Sequence, residues 1–269
     1  MEGEKEIAKS VLPELTKGSM QLVNQFYQDL AQPTVQTIGK TLNTTFEFAT
    51  IPALAMQFAT EKVKANFAKR LDEYKKKLDK IPEEERCIVE PEIGEPIIRN
   101  LMNTTNDQIA DLFTTLLANA SNVKTLDKAH PKFAQIVQNM TPDEALIIQY
   151  LKGKDFVCYI NFRGEVGKVE ENRGYINLMQ YATMIDLEVE LSYPQNINVY
   201  IANLISSGIF IDMTDSFKSD YHLYEKIEKT YKPRLEQQFV PSTYREISVN
   251  HSFFQITDFG KLFINACIA

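Results

Sequence analysis

The sequence predicts a mainly α-helical chain: an N-terminal helical region over residues 1–140, then a winged-helix-like α+β region over 141–269. Three observations carry this. Between residues 61 and 151, apolar side chains recur at three- and four-residue steps, the spacing of one helix face. After Lys152 the spacing falls to alternation, in Phe156, Cys158, Ile160 and Phe162, which predicts a strand. From Asn196 onward, helix-like and strand-like stretches follow one another with a stop at Gly208 between them.

The elements follow in order. Residues 4–31 read as helix, with Leu12, Leu15, Met20, Val23, Phe26, Tyr27 and Leu30 in helical spacing, and Pro33 ends the run. Residues 35–60 form an amphipathic hydrophobic segment. From Thr41 to Thr60 the single charge is Glu47, and Pro52 splits or kinks the stretch. Residues 61–81 predict an amphipathic helix with Val63, Phe67, Leu71, Tyr74, Leu78 and Ile81 on one stripe and lysines on the other face. Pro82 and Glu83 to Glu85 close it. Residues 96–120 read as one or two helices capped by Thr105 or Asn106, with Ile109, Leu112, Phe113, Leu116 and Leu117 inward. His130-Pro131 opens another, burying Phe133, Ile136, Val137 and Met140. Thr141 and Glu144 make a capping box around Pro142, and Ala145, Leu146, Ile148 and Leu151 follow inward. Arg163 to Arg173 reads as loop, 175–186 as helix and 187–191 as a short strand. Val199, Ile201, Leu204 and Ile205 then predict a helix, Ile209 to Ile211 a strand and Tyr221 to Tyr231 a helix. Ile247, Val249 and Phe253 predict a strand, and Thr257-Asp258 caps a last helix.

Composition narrows the function classes. The 269 residues carry 29 Lys and Arg against 36 Asp and Glu, a net charge of −7. A strongly basic nucleic-acid binder is disfavoured. Charge is uneven, with a net +2 over residues 1–80, −4 over 81–140 and −5 over 141–269. The first part is thus the one suited to an anionic surface. The charged start, MEGEKEIAKS, is not a secretory signal, and no apolar run is long enough for an obligate transmembrane helix. Cys87, Cys158 and Cys267 sit among apolar neighbours and read as reduced, buried thiols of a cytosolic protein.

No motif promotes a catalytic, cofactor or metal site. Gly39-Lys40-Thr41 matches the end of a phosphate-binding loop, but the required earlier glycine is Thr34, so Lys40 reads as helix surface. His130, His222 and His251 have no partner at zinc-ligand spacing. No serine lies in a nucleophile elbow. Glu90/Glu92 and Glu188/Glu190 read as solvated surface, as does the run Lys75, Lys76, Lys77 and Lys80. Asn196 to Ser207, where a DNA-reading winged helix needs cations, holds no Lys or Arg, which points to protein contact. The contact candidates are Leu42, Phe46, Phe48, Ile51, Leu54 and Phe58 of the 35–60 segment. These six residues are read either as core or as an element released onto a membrane or partner.

Several stretches resemble one known family. IVEPEIGEPIIRNLMNTTNDQIADLFTTLLANASN followed by HPKFAQIVQNMTPDEALIIQYL is similar to the abortive infection alpha family of bacterial phage-defence proteins. Upstream YQDLAQPTVQTIGKTLNTTF and downstream IANLISSGIF and ITDFGKLFI are similar to its flanking segments, so the resemblance runs from about Tyr27 onward. It implies a bacterial cytosolic protein of phage defence and no defined active site. The leading expectation is a non-enzymatic protein acting through a protein partner or phage-encoded trigger, without cofactor or metal. Membrane perturbation by residues 35–60, with recruitment to the inner membrane, is its sub-reading. A homodimer is expected on frequency grounds. The alternatives are a winged-helix DNA-binding regulator and, further, a nuclease-type enzyme.

Overall fold

The computed structural model describes residues 61–166, 174–238 and 246–269. The expectations for residues 4–31 and 35–60, including Leu42, Phe46, Phe48, Ile51, Leu54 and Phe58, lie outside these residues, as does Gly39-Lys40-Thr41. The described residues divide into two compact units, 61–140 with 266–269, and those within 141–265.

The first unit is helical among its described residues. It comprises α1 (Glu61–Leu78), α2 (Pro91–Asn103), α3 (Asp107–Ala120) and α4 (Pro131–Gln138). The α1 stripe is buried as its period requires, through Phe67, Leu71, Tyr74 and Leu78. α2 begins at Pro91, earlier than position 96, because Pro91 sits at the first helical position behind Glu90 and Pro96 is accommodated inside the helix. Asn106 caps α3 by accepting from the Ile109 N–H at 3.0 Å. His130 Nδ1 caps α4 by accepting from the Lys132 N–H at 3.1 Å.

Arg70 is 1% exposed and joins three of these elements. Its guanidinium donates to Thr105 O at 2.8 Å and Thr104 O at 3.3 Å, and pairs with Glu73 at 3.0 Å and Asp107 at 2.8 Å. It thus serves the exposed carbonyls between α2 and α3 while its charge is neutralised, the condition under which a buried cation is tolerated. Tyr74 Oη lies 2.6 Å from Ser121 Oγ, and burial pushes its pKa up to about 12. Asn119 Nδ2 donates to Ala266 O at 2.8 Å.

The second unit is α+β. Its order is α5 (Pro142–Tyr150), β1 (Phe156–Val166), β2 (Gly174–Ala182), α6 (Ile185–Glu188), α7 (Ile197–Ser206), β3 (Phe210–Asp212), α8 (His222–Gln238), β4 (Ile247–Ile256) and α9 (Asp258–Cys267), whose last two residues belong to the first unit. The capping box on α5 is present. Ile147 rather than Leu146 is buried, together with Asp143 and Glu144.

Three expectations are corrected. Residues 174–182 form strand β2, not a helix over 175–186, and 185–188 form a turn of helix where a strand over 187–191 was expected. Arg163 to Val166 belong to β1 rather than to a loop. Tyr175, Ile176, Leu178 and Met179 fit either period. Antiparallel pairing with β1, from Val166↔Gly174 to Ile160↔Ala182, decides the outcome. The pairing is broken twice by register shifts, and Tyr181 next to one of them holds φ 54°.

The sheet is antiparallel in the order β2-β1-β4-β3. β1 and β4 pair without interruption from Phe156↔Gln255 to Gly164↔Ile247. One face carries α8, with Ile160, Phe162, Ala182, Tyr224, Ile227, Tyr231 and Leu235 in a shared core. The other carries a stack in which Phe254 lies 4.4 Å from Tyr159 and 5.4 Å from Phe210, ring centre to ring centre.

A clasp closes this unit. Gly208 ends α7 at φ 80°, a conformation glycine adopts at no steric cost. Thr257 donates through Oγ1 to Gly208 O at 2.6 Å and through its N–H to Ile209 O at 3.0 Å, and its Oγ1 accepts from the Gly260 N–H at 2.8 Å. These are residues of ISSGIF and ITDFGK, so both stretches have a structural explanation.

Candidate interaction site

Asp143 is a multiply connected polar residue of the second unit. Its carboxylate accepts the Ser192 N–H at 2.8 Å on Oδ1, and the Tyr193 N–H at 2.9 Å and the Tyr200 hydroxyl at 2.8 Å on Oδ2. Burial alone would raise its pKa. The Ser192 N–H, the Tyr200 hydroxyl and the Tyr193 N–H outweigh burial and hold the carboxyl below its ordinary range. The Tyr200 phenol is pushed up to about 12 by burial and by Asp143. Glu144 Oε2 accepts the Thr141 N–H at 2.6 Å, closing the capping box, and Oε1 accepts Asn203 Nδ2 at 2.8 Å. TPDE is therefore a bracket that fixes α7, through Tyr200 and Asn203, and the turn before it.

That bracket presents one face of α7 outward. Asn198, Val199, Ala202 and Ser206 are exposed, Val199 to 65%, and none is charged. Tyr193 and Leu187 stand beside it in sequence, 60% and 48% exposed. A cleft of about 540 Å³ lies between Asn177 to Gln180 of β2, Asp186 and Leu187 of α6, and Ile197 and Asn198 of α7. Its one acid, Asp186, accepts a hydrogen bond from the Tyr231 hydroxyl, which lies 2.6 and 2.7 Å from its two carboxylate oxygens. The outer face of α7 is uncharged, apolar and amide-rich, and Asp186 is the one charged residue lining the cleft beside it, a composition suited to protein contact.

Other chemistry-bearing residues are occupied structurally. Tyr159 donates to Asp212 at 2.6 Å, with its phenol pushed up to about 12 by burial and Asp212. Burial raises the thiol pKa of Cys87, Cys158 and Cys267, which opposes thiolate chemistry. Cys267 is buried, while Cys87 and Cys158 are half-buried rather than fully enclosed. Glu188 is bound by Tyr150 at 2.7 Å and Lys226 at 2.5 Å rather than simply solvated, while Glu90, Glu92 and Glu190 are exposed. Among the described residues, no three His, Cys, Asp or Glu side chains are placed to hold a metal. No described helix is long and apolar enough to cross a membrane. No local sequence signal marks the exposed apolar residues Leu187, Tyr193 and Val199 as a group. A signal for α7 alone is the absence of Lys and Arg from Asn196 to Ser207.

A family model for abortive infection alpha matches residues 60–267. The chain belongs to the abortive infection alpha family. Every stretch matched after residue 60 thus falls within the two units, and EP, HP, TPDE and TDFG act in them as caps, bracket and clasp. No curated protein matches the chain. Among solved structures, the chain is similar to an uncharacterized protein from the hydrocarbon-degrading marine bacterium Alcanivorax borkumensis SK2, at 14% identity and a TM-score of 0.31, covering 51% of this chain and 92% of that one.

Proposed function

We propose that this member of the abortive infection alpha family acts in phage defence by binding another protein through the outer face of α7 and the cleft beside it. The observation that carries the reading is the uncharged, exposed face of Asn198, Val199, Ala202 and Ser206 on a helix held by Asp143 and Glu144. The order α5, β1, α6, α7, β3, β4, with β4 between β1 and β3, supports a winged-helix-like arrangement, with β2 and α8 as insertions. In that arrangement α7 takes the position of the helix that reads DNA. Without a cation there, phosphate neutralisation has no source on this helix, so a protein partner fits better than duplex DNA.

Val199→Asp tests this. A charge at the centre of an apolar contact desolvates without a partner, so phage protection should fall about tenfold or more. The melting temperature should hold, because Val199 is 65% exposed. Unchanged protection in the folded variant would remove α7 from the mechanism. Salt-dependent binding of the wild type to duplex DNA, lost in α7 variants, would replace the protein reading with the DNA one.

A second reading rests on residues 41–60, whose one charge is Glu47. Such a segment suits insertion into a membrane interface once exposed. Cells expressing the protein and infected by phage should then take up a membrane-impermeant dye before lysis. Phe46→Asp and Phe58→Asp should prevent it. Protection with intact membranes would leave the α7 surface as the working element.

A further inference from the structure

β4 is ten residues long, and its two edges are unequally covered. β1 pairs with it from Ile247 to Gln255, whereas β3 pairs only with Phe254, Gln255 and Ile256. Two contacts extend that cover by a residue or two: the Met213 N–H donates to Phe253 O at 3.0 Å, and Ser252 Oγ donates to Met213 O at 2.6 Å. The bonds Glu165 N–H to Glu246 O and Ile256 N–H to Asp155 O fix which residues face β1. By antiparallel alternation the even-numbered residues of β4 bond to β1, and Val249 and His251 turn their N–H and C=O outward. Among the described residues no strand covers that part of the edge.

Beside this open edge lies a second cleft, of about 420 Å³, bordered by Phe217, Lys218, Ser219 and Tyr221 as well as by Val249 and His251. Phe217 and Tyr221 are 68% and 51% exposed. Lys218 Nζ sits 3.9 Å above the Phe253 ring and 4.3 Å from that of Phe156, which holds the wall in place. His251 Nε2 and Asn250 Oδ1 are buried without a hydrogen-bond partner, and Glu228 stands 3.9 Å from that imidazole nitrogen.

We propose that this edge is a strand-addition site for a short extended peptide of a partner protein, bound antiparallel to β4 with apolar side chains against Phe217 and Tyr221. The outward N–H and C=O groups of Ile247, Val249 and His251, about 6.8 Å apart along the strand, match another extended backbone. The exposed rings give alternate side chains a place to pack. A second copy fits less well. The open edge from Ile247 to His251 is about 17 Å long, and a strip of that length and about 10 Å width offers roughly 170 Å² per side, against about 800 Å² per partner in stable interfaces. The inference is independent of the α7 surface, which lies on other residues.

The test is selection of a random dodecapeptide library on the full chain, with Val249→Pro as the counter-selected protein. The Val249 N–H points away from β1, so proline there costs no bond of the β1–β4 ladder. Enriched peptides should alternate apolar and polar residues, slow amide exchange at Val249 and His251, and lose about tenfold or more in affinity for Val249→Pro and for Phe217→Ser. N-methylation at alternate peptide positions should abolish binding in one register and spare it in the other. Phe217 is surface-exposed, so Phe217→Ser serves even where proline disturbs folding. Three results would each overturn the proposal. These are enrichment of peptides that bind both variants equally, no enrichment at all, and a wild-type dimer that Val249→Pro converts to monomer.

Discussion

Asp143→Ala is expected to destabilise the second unit by about 3 kcal/mol, because it removes at once the acceptor of the buried Tyr200 hydroxyl and of the part-buried Ser192 and Tyr193 N–H groups that fix the turn before α7. Against a typical domain stability of about 5–15 kcal/mol, this is a substantial part of the margin. Thermal unfolding would read it as a fall on the order of 10 °C or more. Asp143→Asn keeps the shape but turns an amide N–H₂ toward donors, and should cost about 2–3 kcal/mol. The pH dependence separates charge from shape. The folded carboxyl lies below its ordinary value of about 3.9, so its contribution is fully present above about pH 4 and is lost as pH falls through the folded value. The stability gap between wild type and Asp143→Asn should be constant from pH 7 to about 5 and close below about pH 4. A gap independent of pH would mean that the carboxylate is not the anchor of the 192–193 turn. Since Tyr200 and Asn203 hold α7 through Asp143 and Glu144, the same variants should also weaken phage protection at temperatures where they remain folded.

Gly260→Ala should be the most damaging small substitution in the clasp. A Cβ there would stand 2.4 Å from Ile209 O and 3.0 Å from Ile209 Cα, both backbone atoms that cannot rotate away. α9 must then move off the residue preceding β3, pulling on the Thr257 bonds to Gly208 and Ile209. The expected loss is about 3 kcal/mol, at the upper end for overpacking, although alanine is the better helix former by about 1 kcal/mol. Gly174→Ala is the matched control. Nothing lies within 4 Å of its added methyl, so urea unfolding should shift by no more than about 0.5 kcal/mol. Equal midpoints for the two variants would show that the close approach of α9 to Ile209 is not needed.

These two positions also show how far the sequence could be read. The α1 stripe, the His130 and Asn106 caps and the Thr141–Glu144 capping box were legible because each depends on residues within a turn or two of one another. The capping box in TPDE accounts for Thr141 and for one oxygen of Glu144. The Asp143 partners lie 49 to 57 residues away, and no local rule points to them. Tyr175 to Met179 satisfy the helix and the strand period alike, and the strand exists through its pairing with β1. Likewise, His251 read as a lone histidine, while its place on an open strand edge depends on β3 being only three residues long.

The sequence by itself determined the helical first unit, the change to strands after Lys152, the cap positions and the family, since periodicity, capping and motif order are local properties of the chain. Only the tertiary structure decided that Asp143 is an anchor, that Val199 faces outward on a fixed helix, and that β4 keeps an uncovered edge. Each of these depends on which distant segment supplies, or fails to supply, the partner for a buried polar group, and that is settled by packing rather than by neighbours in sequence.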